Sequence, residues 1–167
     1  MTPLPDAEAL LAKLTNDLSK VVGTETALIG IHTGGFWLAE RLHAALGIKQ
    51  PLGALDVSFY RDDFDAIGLH PQVKPSDIAF TVEGRQIVLV DDVLYTGRTI
   101  RAAMNELFDY GRPAAILLAT LVDRGGRELP IAAQFVGAAL TVPANQVLVL
   151  ERGPDGLLRL VLQERRR

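Results

Sequence analysis

The sequence contains no cysteine among its 167 residues. This absence excludes disulfide scaffolds, thiol nucleophiles and zinc or iron–sulfur sites with cysteine ligands. Histidine is also scarce: His32, His43 and His70 lie 11 and 27 residues apart, which is not the spacing of a histidine metal site.

Long apolar runs are missing as well. No stretch approaches the roughly 18 uninterrupted apolar residues that a membrane-spanning helix needs. The N-terminal 20 residues lack the basic start and apolar core of a secretory leader. We therefore predict a cytoplasmic protein with no membrane partner. A net charge of −3, from 17 Lys and Arg against 20 Asp and Glu, argues against general binding of polyanions.

The chain is rich in apolar residues, which make up 49% of it and exclude a disordered protein. Its length corresponds to one domain. We predict a single domain over residues 1–167, with a flexible lid at about 61–77. That lid is a polar, charged stretch with two prolines and a glycine, and such long irregular segments in compact domains are usually lids, binding loops or disordered.

Apolar runs alternate with amphipathic segments along the chain. Apolar residues recur every three or four positions in three predicted helices: Asp6–Val22, Phe36–Leu46 and Arg98–Tyr110. Short apolar runs predict four strands and a C-terminal hairpin: Thr26–Ile31, Leu52–Tyr60, Gln86–Val90, Ala114–Val122, and Val147–Leu150 with Leu157–Leu162. This alternation is typical of an α/β fold whose parallel sheet is covered on both faces.

The segment from Ile87 to Thr99 carries the strongest chemical signal. An apolar strand leads into Asp91 and Asp92, and a Thr-Gly-Arg-Thr turn then opens a helix. The carboxyl ends of parallel strands face the binding crevice, so the acids should lie where a ligand binds. Gly97 lets the backbone curl, so amides and threonine hydroxyls can surround a phosphate at the start of the helix.

Two carboxylates beside a phosphate site need a partner other than phosphate. Carboxylates accept hydrogen bonds from the vicinal hydroxyls of a sugar, and they also suit hydrated Mg²⁺. A sugar that carries a 5-phosphate satisfies both halves of the segment. The alternative is that Asp91 and Asp92 form only a strand-end turn and a helix cap.

The string from Val90 to Thr99 resembles the phosphoribosyl pyrophosphate (PRPP) signature of type I phosphoribosyltransferases. Further blocks narrow the resemblance to the PyrR family of pyrimidine operon regulators, which are also uracil phosphoribosyltransferases: Ala27–Leu42, Tyr60–Asp63, Gly111–Pro113, and Leu121–Gly125 with Arg127–Ile131. The resemblance implies the type I phosphoribosyltransferase fold, a central, mostly parallel sheet flanked by helices, with a flexible active-site loop and a small hood.

The resemblance also implies an activity, that of a pentosyltransferase converting uracil and PRPP to UMP and pyrophosphate with Mg²⁺ as cofactor. Asp91 and Asp92 would hold the ribose hydroxyls, with Mg²⁺ nearby, while Tyr60 and Arg61 would close over pyrophosphate. The pyrophosphate loop is expected at Thr33, Gly34 and Gly35. The 5-phosphate is expected on Val93, Leu94, Tyr95, Thr96, Gly97, Arg98 and Thr99.

The same resemblance places the base near Asp123 and Arg124, with the backbone at Phe135 and Val136 reading its edge. A local surface ion pair is the alternative for Asp123 and Arg124. A homodimer or higher homo-oligomer is expected. UMP-dependent binding of pyrimidine-leader mRNA, with transcription attenuation, is a further implication, and Arg127 is its candidate RNA contact.

The sequence departs from the family pattern at positions where basic residues or histidine are usual. The departures remove side chains from both the pyrophosphate contact and the RNA contact, and each lost phosphate contact weakens binding. We therefore expect catalysis to be retained in weakened form and RNA-dependent attenuation to be affected more. The departures are Thr15–Asp17 in the first helix, Gly34, Gly126, Ala132, Ala133 and Ala138.

Other proteins could carry similar features. A purine-base phosphoribosyltransferase, or a catalytically weak regulator that only senses nucleotides, would show the same signature. A receiver-type signalling switch also ends a strand in paired acids, but it needs a later lysine, and none follows Lys74. The P-loop and dinucleotide-binding motifs do not occur.

Overall fold

The computed structural model describes residues 3–57 and 76–166. Within them, the helices are α1 (Ala7–Leu18), α2 (Gly34–Leu46) and α3 (Arg98–Phe108). The strands are β1 (Ala27–Ile31), β2 (Gly53–Leu55), β3 (Gln86–Leu94), β4 (Ala115–Asp123), β5 (Phe135–Ala139), β6 (Gln146–Arg152) and β7 (Leu158–Glu164). None of the helices in these ranges combines the length and apolar character of a membrane span.

Five strands form a parallel sheet in the order β2-β1-β3-β4-β5. The chain moves from β1 to β2 in one direction and from β3 to β4 in the other, so the strand order reverses between β1 and β3. Ligands of open α/β sheets bind at the carboxyl ends of the strands beside such a reversal. The topology therefore selects the crevice between the ends of β1 and β3.

Apolar side chains cover both faces of the sheet, as the alternation in the sequence predicts. One cluster, beneath α1 and α2, contains the fully buried Leu14, Leu38 and Val88. The other, beneath α3, contains the fully buried Ile87 and Leu107. Each such side chain contributes about 1.5–3 kcal/mol through removal from water, so both helical layers hold the strand ends in place.

The antiparallel hairpin of β6 and β7 packs on the α1 side of the sheet. A carboxylate of α1 joins it to α2, because Glu8 accepts hydrogen bonds from Arg41 at 2.6 and 3.3 Å and from the Leu158 amide at 3.1 Å. The Glu8 side chain thus connects α1, α2 and the hairpin.

Several predicted boundaries differ from the structure. The first helix ends at Leu18 rather than Val22, and the hairpin strands reach Arg152 and Glu164 rather than Leu150 and Leu162. The strand predicted over Leu52–Tyr60 is β2, which ends at Leu55, and residues 58–60 lie outside the described residues. The strand predicted to end at Val90 continues to Leu94, because β4 pairs with it as far as Leu94 opposite Asp123. Of the predicted lid, only residues 76 and 77 are described, and Asp77 exchanges two backbone hydrogen bonds with Ala54.

Candidate active site

Asp91 and Asp92, called the acid pair below, lie inside the carboxyl-terminal part of β3. They are 1% and 6% exposed. Asp91 Oδ1 accepts a hydrogen bond from the Asp92 amide at 2.9 Å, and Asp92 Oδ1 accepts one from the Val93 amide at 2.8 Å. Ionised carboxylates act only as hydrogen-bond acceptors, so the hydroxyl groups of a ligand are the kind of donor that suits this pair.

The pairing of β3 explains why the acid pair faces a crevice. On the β1 side, the register ends at Gly30 opposite Val90. On the β4 side, pairing continues past the acid pair to Leu94. The alternation of side chains also shifts by one across the acid pair, since Val90 and Val93 pack on one core cluster and Leu94 on the other. The sheet therefore opens beside β1 at the acid pair.

The turn from Thr33 to Gly35 follows β1 and lies directly against the acid pair. The peptide bond between His32 and Thr33 is cis. A Cβ added at Gly34 would lie 2.9 Å from Asp92 Cγ and closer still to Oδ2, and one at Gly35 would lie 2.5 Å from the Val90 carbonyl oxygen. A side chain at Gly35 would displace the β3 backbone, and one at Gly34 would displace the Asp92 carboxylate. The turn predicted as the pyrophosphate loop therefore packs directly on the acid pair.

The residues from Val93 to Thr99 connect β3 to α3, and they are called the phosphate loop below because the 5-phosphate is predicted to bind there. Gly97 precedes α3 with φ of +96°, a left-handed conformation that favours glycine. Thr96 and Thr99 are 9% and 6% exposed, and Thr96 Oγ1 accepts a hydrogen bond from the Arg98 amide at 3.2 Å. The loop thus brings two hydroxyls and the positive end of α3 to the edge that holds the acid pair.

A second segment, residues 124–131, packs against the phosphate loop. The Thr96 carbonyl accepts hydrogen bonds from the amides of Glu128 and Leu129 at 2.9 and 3.1 Å. The Arg98 side chain pairs with Glu128 at 2.9 Å. The conformation of the phosphate loop therefore depends on a segment about 30 residues further along the chain.

Asp123 and Arg124 do not form the surface ion pair that was the alternative to a base site. The Asp123 carboxylate forms an ion pair with Arg127 at 2.5 Å and accepts a hydrogen bond from the Gly125 amide at 2.9 Å. Arg124 is 8% exposed, and its guanidinium lies 3.9 Å from the centre of the Tyr95 ring. It also donates to backbone carbonyls near the start of β6. Their predicted base contacts stay predictions.

Phe135 and Val136 belong to β5, where they pair with Ala119 and Thr120 rather than with the last residues of β4. The Lys13 ammonium of α1 donates a hydrogen bond to the Val136 carbonyl at 2.8 Å. Their predicted contact with a base also stays a prediction. Tyr60 and Arg61 lie outside the described residues.

The acid pair is also the candidate contact for the Mg²⁺ ion that the family resemblance implies. Across residues 3–57 and 76–166, no group of three or more His, Asp or Glu is arranged to hold a metal ion. The two buried carboxylates are hard oxygen donors, which fit a Mg²⁺ ion that takes its other ligands from substrate and water. Asp91 and Asp92 are therefore the side chains that could hold or face Mg²⁺ beside a bound substrate, and this role stays a prediction.

Sequence reasoning did not find the contacts of Arg127 or the stacking of Arg124 on Tyr95. Two signals were present. In the sequence, Asp123 and Arg127 have opposite charge and lie four residues apart, and two glycines, Gly125 and Gly126, lie between them. In the structure both glycines adopt positive φ, +73° and +76°. A tight turn that brings the two charges together is consistent with both signals.

Comparison with known proteins agrees with this geometry. Residues 3–147 match the phosphoribosyl transferase domain family. "Bifunctional protein PyrR" from Nitrosococcus oceani is 53% identical over 156 residues, which cover 90% of this chain and 88% of the relative. The protein of that name from Pseudomonas fluorescens is 52% identical over 165 residues, covering 96% and 97% of the two chains.

A solved structure of a hypoxanthine-guanine phosphoribosyltransferase from Bacillus anthracis superposes with a TM-score of 0.66 at 22% identity, covering 86% of this chain and 85% of that one. This similarity confirms the predicted fold. With the sequence relatives, it leads to one conclusion: the chain belongs to the phosphoribosyltransferase domain family and, within it, to the PyrR proteins.

Proposed function

We propose that the protein transfers the 5-phosphoribosyl group of PRPP to uracil, giving UMP and pyrophosphate, and that UMP-dependent binding of pyrimidine-leader mRNA links it to transcription attenuation. One observation carries the catalytic half. The turn at Thr33–Gly35, the acid pair and the N-terminus of α3 meet where the strand order reverses. This set supplies separate places for pyrophosphate, ribose hydroxyls and a 5-phosphate.

Binding follows from the charges of these groups. The 5-phosphate lies on the phosphate loop, where the amides at the start of α3 and the hydroxyls of Thr96 and Thr99 receive it. The carboxylates of Asp91 and Asp92 accept hydrogen bonds from the ribose hydroxyls. Because the acids repel phosphate, they also fix the direction in which the phosphorylated sugar binds.

The chemical step breaks the bond from the ribose C1 to pyrophosphate and forms a bond from C1 to a uracil nitrogen, whose proton passes to the departing pyrophosphate or to water. Positive charge develops on the ring as pyrophosphate leaves, and the nearby acid pair stabilises it. Mg²⁺, when bound, neutralises part of the charge on pyrophosphate. The chain's main contribution is to hold base, C1 and leaving group in line.

The base end of the site lies at the carboxyl end of β4. Asp123 is 24% exposed at its side chain and offers a carboxylate beside the phosphate loop. We place uracil near this end, with Asp123 and Arg124 toward its polar edge. Purine enzymes share the fold, so the choice of uracil depends on the PyrR relatives and needs its own test.

The decisive experiment measures pyrophosphate release from PRPP with Mg²⁺ when uracil, hypoxanthine or guanine is added. Uracil-dependent release with UMP as product supports the proposal. Release with purines alone would make the protein a purine phosphoribosyltransferase. UMP binding with no turnover on any base would make it a nucleotide-sensing regulator.

RNA binding needs its own test, because Lys13 and Arg127, two basic side chains that could contact RNA phosphates, already have protein partners. Lys13 contacts Asp17 at 3.1 Å as well as the Val136 carbonyl, and Arg127 contacts Asp123. Filter binding of pyrimidine-leader RNA with and without UMP is the measurement. Tight binding that requires UMP supports regulation, whereas weak binding that ignores UMP contradicts it. We also propose that the protein forms a homodimer or higher homo-oligomer, as the resemblance implies, and sedimentation of the protein alone tests this.

A further inference from the structure

Arg127 lies at the centre of hydrogen bonds that join the phosphate loop to the end of β4. Its Nη1 donates to the Tyr95 carbonyl at 2.5 Å, and its Nη2 donates to Asp123 Oδ2 at 2.5 Å. Its Nε donates to the Ile131 carbonyl at 2.8 Å. Every nitrogen of the guanidinium has a protein partner, and the side chain is only 24% exposed.

The partners of Arg127 belong to two different parts of the site. Tyr95 lies in the phosphate loop, whereas Asp123 is the last residue of β4, where the base is placed. The two parts are also joined by the Arg124 amide, which donates to the Leu94 carbonyl at 3.0 Å, and by the stacking of Arg124 on Tyr95. Of these contacts, those of Arg127 link the Asp123 carboxylate, a charged group at the base end, directly to the backbone of the phosphate loop at Tyr95.

We propose that Arg127 is a positioning residue for phosphoribosyl transfer. By holding the Tyr95 carbonyl against the Asp123 carboxylate, it fixes the separation between the 5-phosphate and the base. That separation sets where C1 lies between uracil and pyrophosphate, and small misplacements of reacting atoms are costly. The inference rests on the proposed function, since it takes the phosphate on the loop and the base beside Asp123.

The geometry requires arginine rather than positive charge alone. A guanidinium presents its donors in a rigid planar fork, whereas an ammonium is a single point charge on a flexible stem. A lysine at residue 127 cannot bridge Tyr95, Asp123 and Ile131 in the same way. Arg127→Lys therefore keeps the charge that an RNA contact needs and loses the bridge.

The chain offers a matched control in Arg85. Its guanidinium donates to the Thr81 carbonyl at 2.6 Å and to the Glu25 carbonyl at 2.7 Å, and it pairs with the Glu25 carboxylate at 3.2 Å. It is also largely buried, with 14% exposure. Arg85 directly precedes β3, at the end of the sheet opposite the site. Arg85→Gln therefore removes the same kinds of contact without touching the site.

The experiment compares Arg127→Gln, Arg127→Lys, Arg85→Gln and the unchanged protein by calorimetric titration with ribose 5-phosphate and with UMP, and by kinetics with uracil. We expect Arg127→Gln to weaken binding of both ligands by about tenfold or more, with a larger loss in turnover. Arg127→Lys should also weaken binding of both ligands and lower turnover. Arg85→Gln should lower the melting temperature without changing either affinity.

Asp123→Asn completes a double-mutant cycle with Arg127→Gln. Because the two residues form one bridge, the effects of the substitutions on UMP affinity should be less than additive. Additive losses would overturn the proposal. So would an Arg127→Gln variant that binds ribose 5-phosphate normally and loses only leader RNA, because Arg127 would then be a surface contact.

The two proposals fail in different ways. If the unchanged protein does not use uracil, the proposed function falls, but the ribose 5-phosphate affinities of the variants still decide the role of Arg127. If Arg127→Gln does not fold, Arg127→Lys supplies the same comparison. Normal ligand affinity in Arg127→Lys would overturn the positioning role.

Discussion

Gly34 and Asp92 occupy adjoining space, with no side chain between the first residue of α2 and the second acid of β3. A Cβ at Gly34 would lie 2.9 Å from Asp92 Cγ. The carboxylate therefore lies beside the N-terminus of α2, which carries partial positive charge. Any side chain at residue 34 has to push Asp92 out of this position.

Gly34→Ala should impair the use of PRPP while leaving the fold intact. The added methyl group displaces the end of the Asp92 side chain, so we expect the KM for PRPP to rise by about tenfold. Kinetics and UMP titration measure the effect. Gly23→Ala is the control, because a Cβ there would lie 3.9 Å from its nearest neighbour, Thr26 Oγ1. Equal kinetics for the two variants would contradict the contact.

Asp92→Asn should raise the requirement for PRPP sharply without unfolding the protein. The amide keeps an oxygen for the Val93 amide but loses the charge that favours the ribose hydroxyls and Mg²⁺. The Mg²⁺ concentration for half-maximal rate should rise as well. Asp109→Asn, an exposed acid after α3, is the control. Unchanged kinetics in Asp92→Asn would show that this acid does not face the ribose.

Gly126→Ala should weaken 5-phosphate binding through Tyr95. Gly126 has φ of +76°, and a Cβ there would lie 2.9 Å from Tyr95 Cδ1 and closer still to Cε1. Gly125→Ala is matched in backbone, with φ of +73°, but its Cβ would meet nothing within 4 Å. Both should lose about 1–3 kcal/mol of stability from backbone strain. Only Gly126→Ala should also lose affinity for ribose 5-phosphate, and equal affinities would refute the role of Tyr95 packing.

Glu8→Gln should destabilise the protein at neutral pH and matter less in acid. The Arg41 guanidinium, which donates to the carboxylate, holds the pKa of Glu8 below its usual value of 4.5. A carboxyl whose pKa is lowered by folding adds stability above its unfolded pKa and loses it as the pH falls through the folded pKa. The pair is partly exposed, so the effect is about 0.2–1 kcal/mol.

Denaturant unfolding of the unchanged protein and Glu8→Gln between pH 7 and pH 3 measures this difference. It should shrink steadily below about pH 4.5. Glu40→Gln, whose pair with Arg152 is longer at 3.9 Å, is the comparison and should show a smaller effect. A difference that grows in acid would contradict the sign of the linkage.

Local patterns predicted most elements of the fold but not the end of β3. The apolar run at β1 and the periodicity of α3 are properties of neighbouring residues, so the sequence displays them. Asp91 and Asp92 look like a strand end because they are polar. They remain in β3 because β4 pairs with it up to Leu94, and pairing between distant strands cannot be read from one segment.

The candidate site divides in the same way. The acids and the phosphate loop were predicted from residue types that suit a sugar and a phosphate, and the glycine turn from the family resemblance; the structure brings the three together at one edge of the sheet. The bridge from Arg127 to Tyr95 spans 32 residues and depends on how the turn at Gly125 and Gly126 folds back. For this reason the sequence suggested Arg127 as an outward contact, whereas the structure shows its guanidinium directed inward.

The hairpin of β6 and β7 has a practical consequence for anyone shortening or fusing the protein. The stretch that matches the domain family ends at residue 147, inside β6. The Gln146 carbonyl anchors Arg124, and four hairpin leucines complete the α1 side of the core: Leu148, Leu150, Leu158 and Leu160. Truncation at residue 147 would expose apolar surface on the α1 side of the core and favour aggregation, so shortened or fused versions should keep the chain through Glu164.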